Sequence, residues 1–491
     1  MFVKGSVMAT TCALEDGKRW KSPFLVLLFS FFLLLITSWG WELSGTDDPR
    51  VAGIAREMAI TQRVWVPRLN GEPFLEYPPL GYYPIALSLW LVGRPEDFFA
   101  VLPMVFIGAG TALLTFLIGK RLGGDRIGLI AGLILPTING FFSLHKHCLV
   151  DPTLLFFVTL SLYGFVAGVI VSRGSFWWTA IFYLGLSGGF LTKGIIGVGI
   201  PAGVVVLYLI LKKDRRAIRN LRLGWGILFF ILPILLWGGG VAWFESPNYL
   251  NEVIRQSLWR FLSHSADHAK PFYFYILPTL AKLFPWILLP FVLLLPRFRS
   301  RRPNLFQTDL GSFAVAWFVT VFVVLSVSSA KRSLYLAPIY PAFALLAALA
   351  WDRLRNESPR MKRYEIYGIV AVYLLFISAY FVVLLPSERS QSLRPLFDFV
   401  AKERDGGPVY LFQPNETLRG AAFFYLGKES PVLQPGEPFP EEFGKTPGTT
   451  IIRAVNPQKA TPQRLKRGGI RFRLRFQIDR GRRRYLVYLK Q

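Results

Sequence analysis

Residues 23–58, PFLVLLFSFFLLLITSWGWELSGTDDPRVAGIAREM, decide the fold of this chain. The first part, residues 23–40, is uncharged and nearly as long as the roughly 20 apolar residues that a helix needs to cross a membrane. Two adjacent acids, Asp47 and Asp48, and then Arg50 follow closely. Ionisable side chains are costly beside a membrane, so they indicate a functional site there. The stretch predicts a membrane protein with a polar site just beyond its first span.

Composition supports a membrane protein over a single soluble core. The chain has 491 residues, of which 53% are hydrophobic, and its mean hydropathy is +0.40. Two cysteines cannot build a disulfide framework. Basic residues precede the first apolar run as in a signal peptide, but no small-residue cleavage site follows it, so we expect an uncleaved anchor. The net charge of +26 fits basic loops and contact with anionic lipids better than binding to nucleic acid.

Apolar runs recur along the chain as far as residue 386. They cover residues 23–40, 98–119, 127–143, 152–172, 176–191, 195–211, 223–244, 272–296, 311–328, 333–350 and 364–386. Another run, residues 80–92, is short and ends at Gly93, so we expect an interfacial or re-entrant helix there. The sequence predicts a mostly α-helical polytopic bundle with about 11–13 spans.

Lys and Arg concentrate in alternate loops, and this alternation predicts the orientation. The basic loops are the N-terminus, residues 120–126, Arg173, and residues 212–222, 297–302 and 352–363. The positive-inside rule places them in the cytoplasm. The loops outside are then residues 41–97, 143–151, 192–194, 244–271 and 328–332. We therefore expect a multi-pass protein of a bacterial or archaeal-type plasma (inner) membrane.

The tail is predicted to be a separate small domain. We divide the chain into a transmembrane catalytic domain, residues 1–386, and an extracytoplasmic α/β domain, residues 387–491. Residues 408–413 and 449–455 have strand composition. Residues 471–478 alternate apolar and charged side chains and could turn at 479–481 into a hairpin with residues 485–489.

The acids of interest all lie in the predicted outer loops. Asp47, Glu76 and Asp151 are the catalytic candidates. Asp48 and Asp151 each precede a proline, so either could instead cap the start of a helix. Capping does not require the second acid, Asp47. Glu76, within FLEYPP, could support catalysis, bind a metal or be a surface charge.

Cations and one tyrosine in the same loops are candidate ligands for a phosphate. They are Arg50, Lys193, His268, Lys331, Arg332 and Tyr335. Arg50 could instead form ordinary ion pairs, and Lys193 could extend to the membrane surface. His264 and His268 share a face if their segment is helical, so with Glu76 they are the metal candidates, although no metal is assigned.

Acids and cations together suggest group transfer. A carboxylate can activate a hydroxyl or an amine, and cations stabilise an anionic leaving group such as phosphate. A phosphate carried on a lipid would explain a site at a membrane. No Walker, HExxH, GxSxG or Rossmann motif occurs in the sequence.

Six motifs in order resemble the GT-C class of glycosyltransferases, above all the aminoarabinose transferases and protein mannosyltransferases that use polyprenyl-phosphate sugars. They are TDDPRVAGIAREM, RLNGEPFLEYPPLGYY, HKHCLVDPTLLFF, FLTKGIIGVGIP, HAKPFYFY and KRSLYLAPIYPAFALL. They extend from about residue 40 to 350. The tail adds little to the resemblance.

The resemblance implies an inverting transfer of a sugar from a polyprenyl phosphate to an acceptor outside the membrane. The acceptor is lipid A, another glycolipid or a protein. Asp47 and Asp151 match the acids of the first and second external loops, Lys193 matches a lysine near the donor phosphate, and Glu76 matches the acid of F-E-K-P-P. Tyr77 stands where that motif has lysine, so one phosphate-contacting cation is either missing or supplied elsewhere, for example by Lys331 or Arg332. The resemblance leaves a divalent cation open as a cofactor.

Two other functions remain open from the sequence. A flippase or transporter of a lipid-linked sugar would place polar groups near the middle of the membrane. A scaffold whose basic tail binds anionic lipid would leave the acids unexplained. Nucleic acid is not an expected partner, because the basic hairpin of the tail is predicted to face outward.

Overall fold

The computed structural model describes residues 21–245, 248–249, 251–252, 255, 270–294, 305–328, 331–356, 359–435, 443, 446–458, 463–467 and 470–490. Six helices among these are long and apolar enough to cross a membrane. They are Asp97–Gly123, Asp151–Val171, Ile195–Lys212, Leu223–Phe244, Asp309–Val327 and Arg363–Arg389. The chain is a mostly helical, multi-pass membrane protein.

The helices of the N-terminal part follow the apolar runs closely. They are α1 Lys21–Ile36, α2 Asp48–Thr61, α3 Tyr83–Val92, α4 Asp97–Gly123, α5 Asp125–Ile134, α6 Asn139–Leu144, α7 Asp151–Phe165, α8 Phe176–Lys193, α9 Ile195–Lys212, α10 Arg215–Asn220, α11 Leu223–Phe244, α12 Ile276–Lys282, α13 Leu288–Leu294, α14 Asp309–Val327, α15 Ile339–Asn356, α16 Pro359–Ala379 and α17 Leu385–Arg389. A short hairpin, β1 Arg68–Leu69 and β2 Glu72–Pro73, follows α2. Single 3-10 turns at Pro79–Gly81, Leu135–Thr137, Phe272–Tyr275 and Ser333–Leu336 lead into helices.

Some predicted runs are interrupted rather than continuous. The run at 127–143 forms α5, a 3-10 turn containing Pro136, and α6. The run at 272–296 forms α12 and α13 with Pro285 between them. Proline lacks the N–H that a helix interior needs, so each break has a local cause. The run at 80–92 gives the ten-residue α3, which ends at Gly93 with φ 74°, as its length predicts.

The helices bury one set of apolar side chains against each other and leave another set exposed on the outside of the bundle. A contiguous core joins α4, α7, α8, α14 and α15 through residues such as Phe165, Phe313 and Trp317. On α11, by contrast, Leu232, Leu235 and Leu236 are all more than half exposed. Such a surface is ordinary for a helix that faces lipid, because lipid tails are themselves apolar.

The loops predicted to share a side of the membrane also share an end of the bundle. At one end, Lys120 pairs with Asp125, Arg126 with Asp352 at 3.4 Å, and Lys212 with Asp309 at 2.8 Å. The acids and cations singled out as site residues meet at the other end, as described below. The grouping agrees with the alternation of basic loops.

The tail forms one sheet covered by helices. Its helices are α18 Arg394–Glu403 and α19 Glu416–Leu426, and its strands are β3 Val409–Phe412, β4 Val432–Leu433, β5 Thr450–Val455, β6 Arg464–Arg467, β7 Ile470–Arg480 and β8 Arg483–Lys490. The strand order is β4-β3-β5-β8-β7-β6, with the first three parallel and the remaining pairs antiparallel. The strands predicted near 408–413 and 449–455 and the C-terminal hairpin are confirmed. Both helices pack on one face of the sheet.

The tail also packs tightly on α2, the helix that begins beside Asp47. The two helices α2 and α19 cross at Gly53 and Gly420. A Cβ added to Gly53 would overlap the backbone of Gly420, and one added to Gly420 would overlap the backbone of Pro49 and Arg50. Arg56 of α2 donates to the carbonyl oxygen of Phe424 at 2.6 Å. The tail therefore fixes the helix that carries the site.

Gly53→Ala should lower the free energy of unfolding by about 1–3 kcal/mol, since the added methyl group forces the two helices apart. Gly199→Ala is the matched control. Gly199 lies in another helix, α9, and a Cβ added there would meet nothing within 4 Å. Thermal or denaturant unfolding of the purified protein in detergent measures both. Equal stability of the two variants would contradict the close helix contact.

Candidate active site

Asp47 lies between two guanidinium groups. Its Oδ1 accepts a hydrogen bond from Arg50 Nη2 at 2.9 Å, and its Oδ2 accepts one from Arg332 Nη2. Its side chain is only 16% exposed. The structure therefore joins three of the predicted site residues, from loops far apart in the sequence, around one carboxylate.

Arg50 forms ion pairs with three acids. Besides Asp47, its Nη1 lies 2.6 Å from Glu416 Oε2 and 3.4 Å from Glu76 Oε2. Its guanidinium carbon lies 5.5 Å from the ring centre of Phe74. Arg50 thus forms ion pairs that hold Asp47 and Glu76 on one cation, and its predicted role in binding phosphate stays a prediction.

Asp48 is not the helix cap that its position before Pro49 suggested. The residue at the cap position is Asp47, whose side chain makes no capping bond. Asp48 is buried and accepts hydrogen bonds from the backbone N–H of Ser44 at 3.5 Å and from His147 Nδ1 at 3.0 Å. Capping fails because this carboxylate turns away from its own helix toward a histidine of the second outer loop.

Asp151 and Lys193 form a buried ion pair. Lys193 Nζ lies 2.6 Å from Asp151 Oδ1, and both side chains are 6% exposed or less. The capping interpretation of Asp151 is therefore wrong, and Lys193 does not extend to the membrane surface. The lysine ammonium also lies 5.2 Å from the ring centre of Tyr77 and 5.0 Å from that of Tyr335.

Tyr77 occupies the place where the resemblance predicts a second lysine. Its ring faces the ammonium of Lys193, which it can stabilise through a cation–π contact. Arg332, one of the two cations expected to replace that lysine, pairs with Asp47, and its phosphate-binding role stays a prediction. Lys331 is buried and donates to the carbonyl oxygen of Ser328, so its phosphate-binding role stays a prediction.

A metal site is not supported by the described residues. Among them, no group of three or more His, Cys, Asp or Glu side chains could hold a metal ion. Glu76 faces Arg50. His264 and His268 lie outside the described residues, so their predicted roles as metal or phosphate ligands stay predictions.

A cavity of about 230 Å³ opens beside Asp47. Its polar lining comes from the first outer loop, from the second outer loop and from two later segments. The polar lining residues are Ser44, Thr46, Asp47, Asp48, Ser143, His147, Lys282, Arg332, Ser333 and Tyr340. Lys193, Asp151 and Tyr335 are not among the lining residues, so the buried pair of Lys193 with Asp151 lies outside the wall of this cavity.

Two contributors were missed at the sequence level. Glu416, in the tail, reaches Arg50 across 366 residues of sequence, although the tail seemed to add little. The bond between His147 and Asp48 also escaped notice, because each residue had a local explanation. The cluster HKH at 145–147 was the available signal. Its first histidine is buried and bonds the carbonyl oxygen of Phe141 instead.

Two sequence families match separate parts of the chain. Residues 71–246 match the family described as dolichyl-phosphate-mannose-protein mannosyltransferase. Residues 269–412 match the Alg9-like mannosyltransferase family. The first match contains Glu76, Asp151 and Lys193, and the second contains Arg332.

Individual relatives extend the similarity over most of the chain. An uncharacterised protein of Aquifex aeolicus is 27% identical over 84% of this chain and 78% of its own length. The undecaprenyl phosphate-alpha-4-amino-4-deoxy-L-arabinose arabinosyl transferase 1 of Pseudomonas fluorescens is 28% identical over 75% of this chain and 67% of its own length. The corresponding transferase of Serratia proteamaculans is 29% identical, and the match spans 67% of this chain but only 60% of the relative.

Solved structures share the fold. Apo ArnT from Cupriavidus metallidurans superposes with a TM-score of 0.72 at 19% identity, covering 96% of this chain and 98% of that one. The same protein bound to undecaprenyl phosphate gives 0.69, covering 95% and 97%. The architecture, tail included, is therefore that of a known transferase fold.

Lys193→Met should lower the free energy of unfolding by about 3–5 kcal/mol, because it leaves the carboxylate of Asp151 buried and unpaired. Adding Asp151→Asn should restore much of that loss. Lys212→Met is the matched control, since Lys212 pairs with the half-exposed Asp309 and should cost less than about 1 kcal/mol. Unfolding curves in detergent compare the three variants. A Lys193→Met protein as stable as the control would contradict the buried pair.

Proposed function

Because the chain belongs to the GT-C class of membrane glycosyltransferases, we propose that it moves a sugar from a polyprenyl-phosphate donor to an acceptor at the outer face of the membrane. The observation that carries the proposal is Asp47, held between Arg50 and Arg332 beside the buried pair of Lys193 and Asp151. The site thus offers an acid and cations, the groups that can serve the two ends of one displacement.

The cations suit the leaving group. When the bond between the anomeric carbon and the phosphate oxygen breaks, polyprenyl phosphate departs with the electron pair. Fixed positive groups stabilise that developing charge more than they stabilise the ground state. Lys193 and Arg332 are the cations, and Tyr335 lies against the ammonium of Lys193 and can donate its hydroxyl hydrogen.

The acids suit the incoming group. An inverting displacement brings the nucleophile to the face opposite the leaving phosphate. Asp47 and Arg332 line the open cavity, whereas Lys193 does not. We therefore assign the cavity to the acceptor and the Lys193 side to the donor phosphate. Glu76 and Glu416 hold Arg50, and through it Asp47, in place.

The donor sugar and the acceptor are narrower proposals. Relatives in Pseudomonas and Serratia carry names that specify 4-amino-4-deoxy-L-arabinose on undecaprenyl phosphate, so that donor is the first to test. The acceptor is a lipid, such as lipid A or another glycolipid, or a protein. The loop charges favour a plasma (inner) membrane location, with the site and the tail of residues 387–491 outside and residues 1–386 as the catalytic domain. The transporter alternative gains no support from these comparisons.

Asp47→Asn should reduce sugar transfer by about 100-fold or more, since a neutral amide binds the acceptor's hydrogen more weakly than a carboxylate and cannot complete the pairing with both guanidiniums. The assay supplies a panel of undecaprenyl-phosphate sugars, with the aminoarabinose donor first, to membranes containing the protein, and reads the products by mass spectrometry. Asp398→Asn, on an exposed tail carboxylate 3.9 Å from Arg394, is the matched control and should leave transfer unchanged.

Near-normal transfer by Asp47→Asn would remove Asp47 from the mechanism. No transfer by the unaltered protein from any donor would overturn the proposed function itself. Unfolding curves must show that the variant is folded, so that lost transfer reports on the site.

A further inference from the structure

His147 and Asp48 form a second acid–base pair that the assignments above leave unused. The pair lies on the wall of the acceptor cavity, next to Asp47. Asp48 is 2% exposed and His147 is 24% exposed, so the carboxylate is sealed behind the imidazole. This is the arrangement by which a buried acid orients a histidine that faces a substrate.

The hydrogen bond fixes which nitrogen of His147 is available. A carboxylate only accepts, so Nδ1 carries the hydrogen that it donates to Asp48 Oδ2. The edge of the ring packs at 85° against Trp41, at 5.1 Å between ring centres. Nε2 has no hydrogen-bond partner among the described residues, and it is not one of their fully buried, unpaired atoms. Its lone pair is thus left for a molecule in the cavity.

Asp47 is less well placed to take a proton. Both of its oxygens already accept hydrogen bonds from guanidinium groups. Two ionisable groups in different environments beside one cavity commonly take different roles, one orienting the substrate and the other transferring the proton.

A cation suggests what kind of acceptor enters. Lys282, at the end of α12, lines the same cavity as His147, and no ion pair joins it to an acid in the described part of the chain. Together with Arg332 it gives the cavity a positive wall facing the histidine. An anionic acceptor would be bound there by charge-assisted hydrogen bonds.

We propose that His147, oriented by Asp48, is the general base of the transfer, and that the acceptor is a hydroxyl group of an anionic glycolipid held by Lys282. The proposal rests on the proposed transferase function. It narrows the acceptor to an alcohol, because a phosphate monoester is already ionised and needs no base to attack.

The step balances as a single displacement. The acceptor oxygen forms a bond to the anomeric carbon while the bond from that carbon to the phosphate oxygen breaks. The acceptor proton passes to Nε2 of His147, and polyprenyl phosphate leaves with the electron pair. The carboxylate of Asp48 stabilises the imidazolium until it loses its proton to water.

The charges around His147 set the pH dependence. Burial by itself lowers the pKa of His147, but the carboxylate of Asp48 outweighs it and the pKa is raised overall, with Glu388 adding to the rise and Lys282 opposing it. A base must be neutral to act, so transfer should rise as pH increases through this pKa. Without the Asp48 charge the pKa falls, so the rise should occur at lower pH.

The test measures the rate against pH for the full-length protein in liposomes made with inner-membrane lipid extract, using the donor that the unaltered protein accepts. His147→Asn keeps a donor for Asp48 but lacks the base. Its kcat should fall by about 100-fold or more, and the rise of the transfer rate with pH should disappear. Asp48→Asn should lower kcat and move that rise to lower pH. Lys282→Gln should raise the apparent KM for the lipid extract with little change in kcat.

Binding of undecaprenyl phosphate is measured by the increase in thermal stability that it causes. It shows that each variant is folded and still binds the donor's lipid phosphate. If His147→Asn unfolds, the test rests on Asp48→Asn, in which the rise of the transfer rate should move to lower pH. The inference is overturned if the variants transfer at normal rates with an unchanged profile. It is also overturned if the product is a glycosyl phosphate, or if the sugar is found on protein and not on lipid. Transfer by the unaltered protein in any of these cases would leave the proposed function standing.

Discussion

The cost of holding charge at the edge of a membrane determines how this site is built. A carboxylate or ammonium that leaves water must find an opposite charge with hydrogen-bond geometry, or it becomes strongly destabilising. Asp47 meets the requirement with two guanidiniums, Asp151 with the ammonium of Lys193, and Asp48 with the imidazole of His147. Apart from the contact of Asp47 with Arg50, which are three residues apart, each pair joins segments that are far apart in sequence. The pairs therefore lock the outer loops to one another as well as supplying reactive groups.

The tail belongs to this arrangement and is more than an appendage. Its helix α19 contacts α2 through facing glycines, which allow the two backbones to meet. The same contact brings Glu416, in the first turn of α19, to Arg50 at 2.6 Å. Thr417 also donates to the carbonyl oxygen of Thr46 at 3.1 Å, beside Asp47. Displacing the tail would remove one of the three acids on Arg50 and loosen the loop that presents Asp47.

Much of this could be predicted from the sequence, because the relevant signals are local or statistical. Apolar runs gave most helices, and strand alternation gave the C-terminal hairpin. The loop charges grouped the site residues on one side of the membrane, and the ion pairs among those residues agree with that grouping. The errors arose where a local rule competed with a distant partner. A proline after Asp48 or Asp151 indicates a helix cap, but the partners that overrode capping lie 99 and 42 residues away. Glu416 gave no signal at all, since nothing in the tail's own pattern points to Arg50.

The position of Asp47 has a consequence for how the site can discriminate between its two substrates. Arg332 is hydrogen-bonded to Asp47 and lines the cavity with it, while Lys193, which contacts the rings of Tyr77 and Tyr335, does not line the cavity. An anion entering on the Lys193 side would compete with Asp47 for Arg332. As Arg332 turned toward a donor phosphate, one oxygen of Asp47 would be released toward the cavity at the moment when the acceptor needs it. Donor binding and readiness for the acceptor would then be coupled through one guanidinium. With that coupling, the Asp47 carboxylate would lose its bond to Arg332 only while a substrate is present, and it would keep its bond to Arg50 throughout.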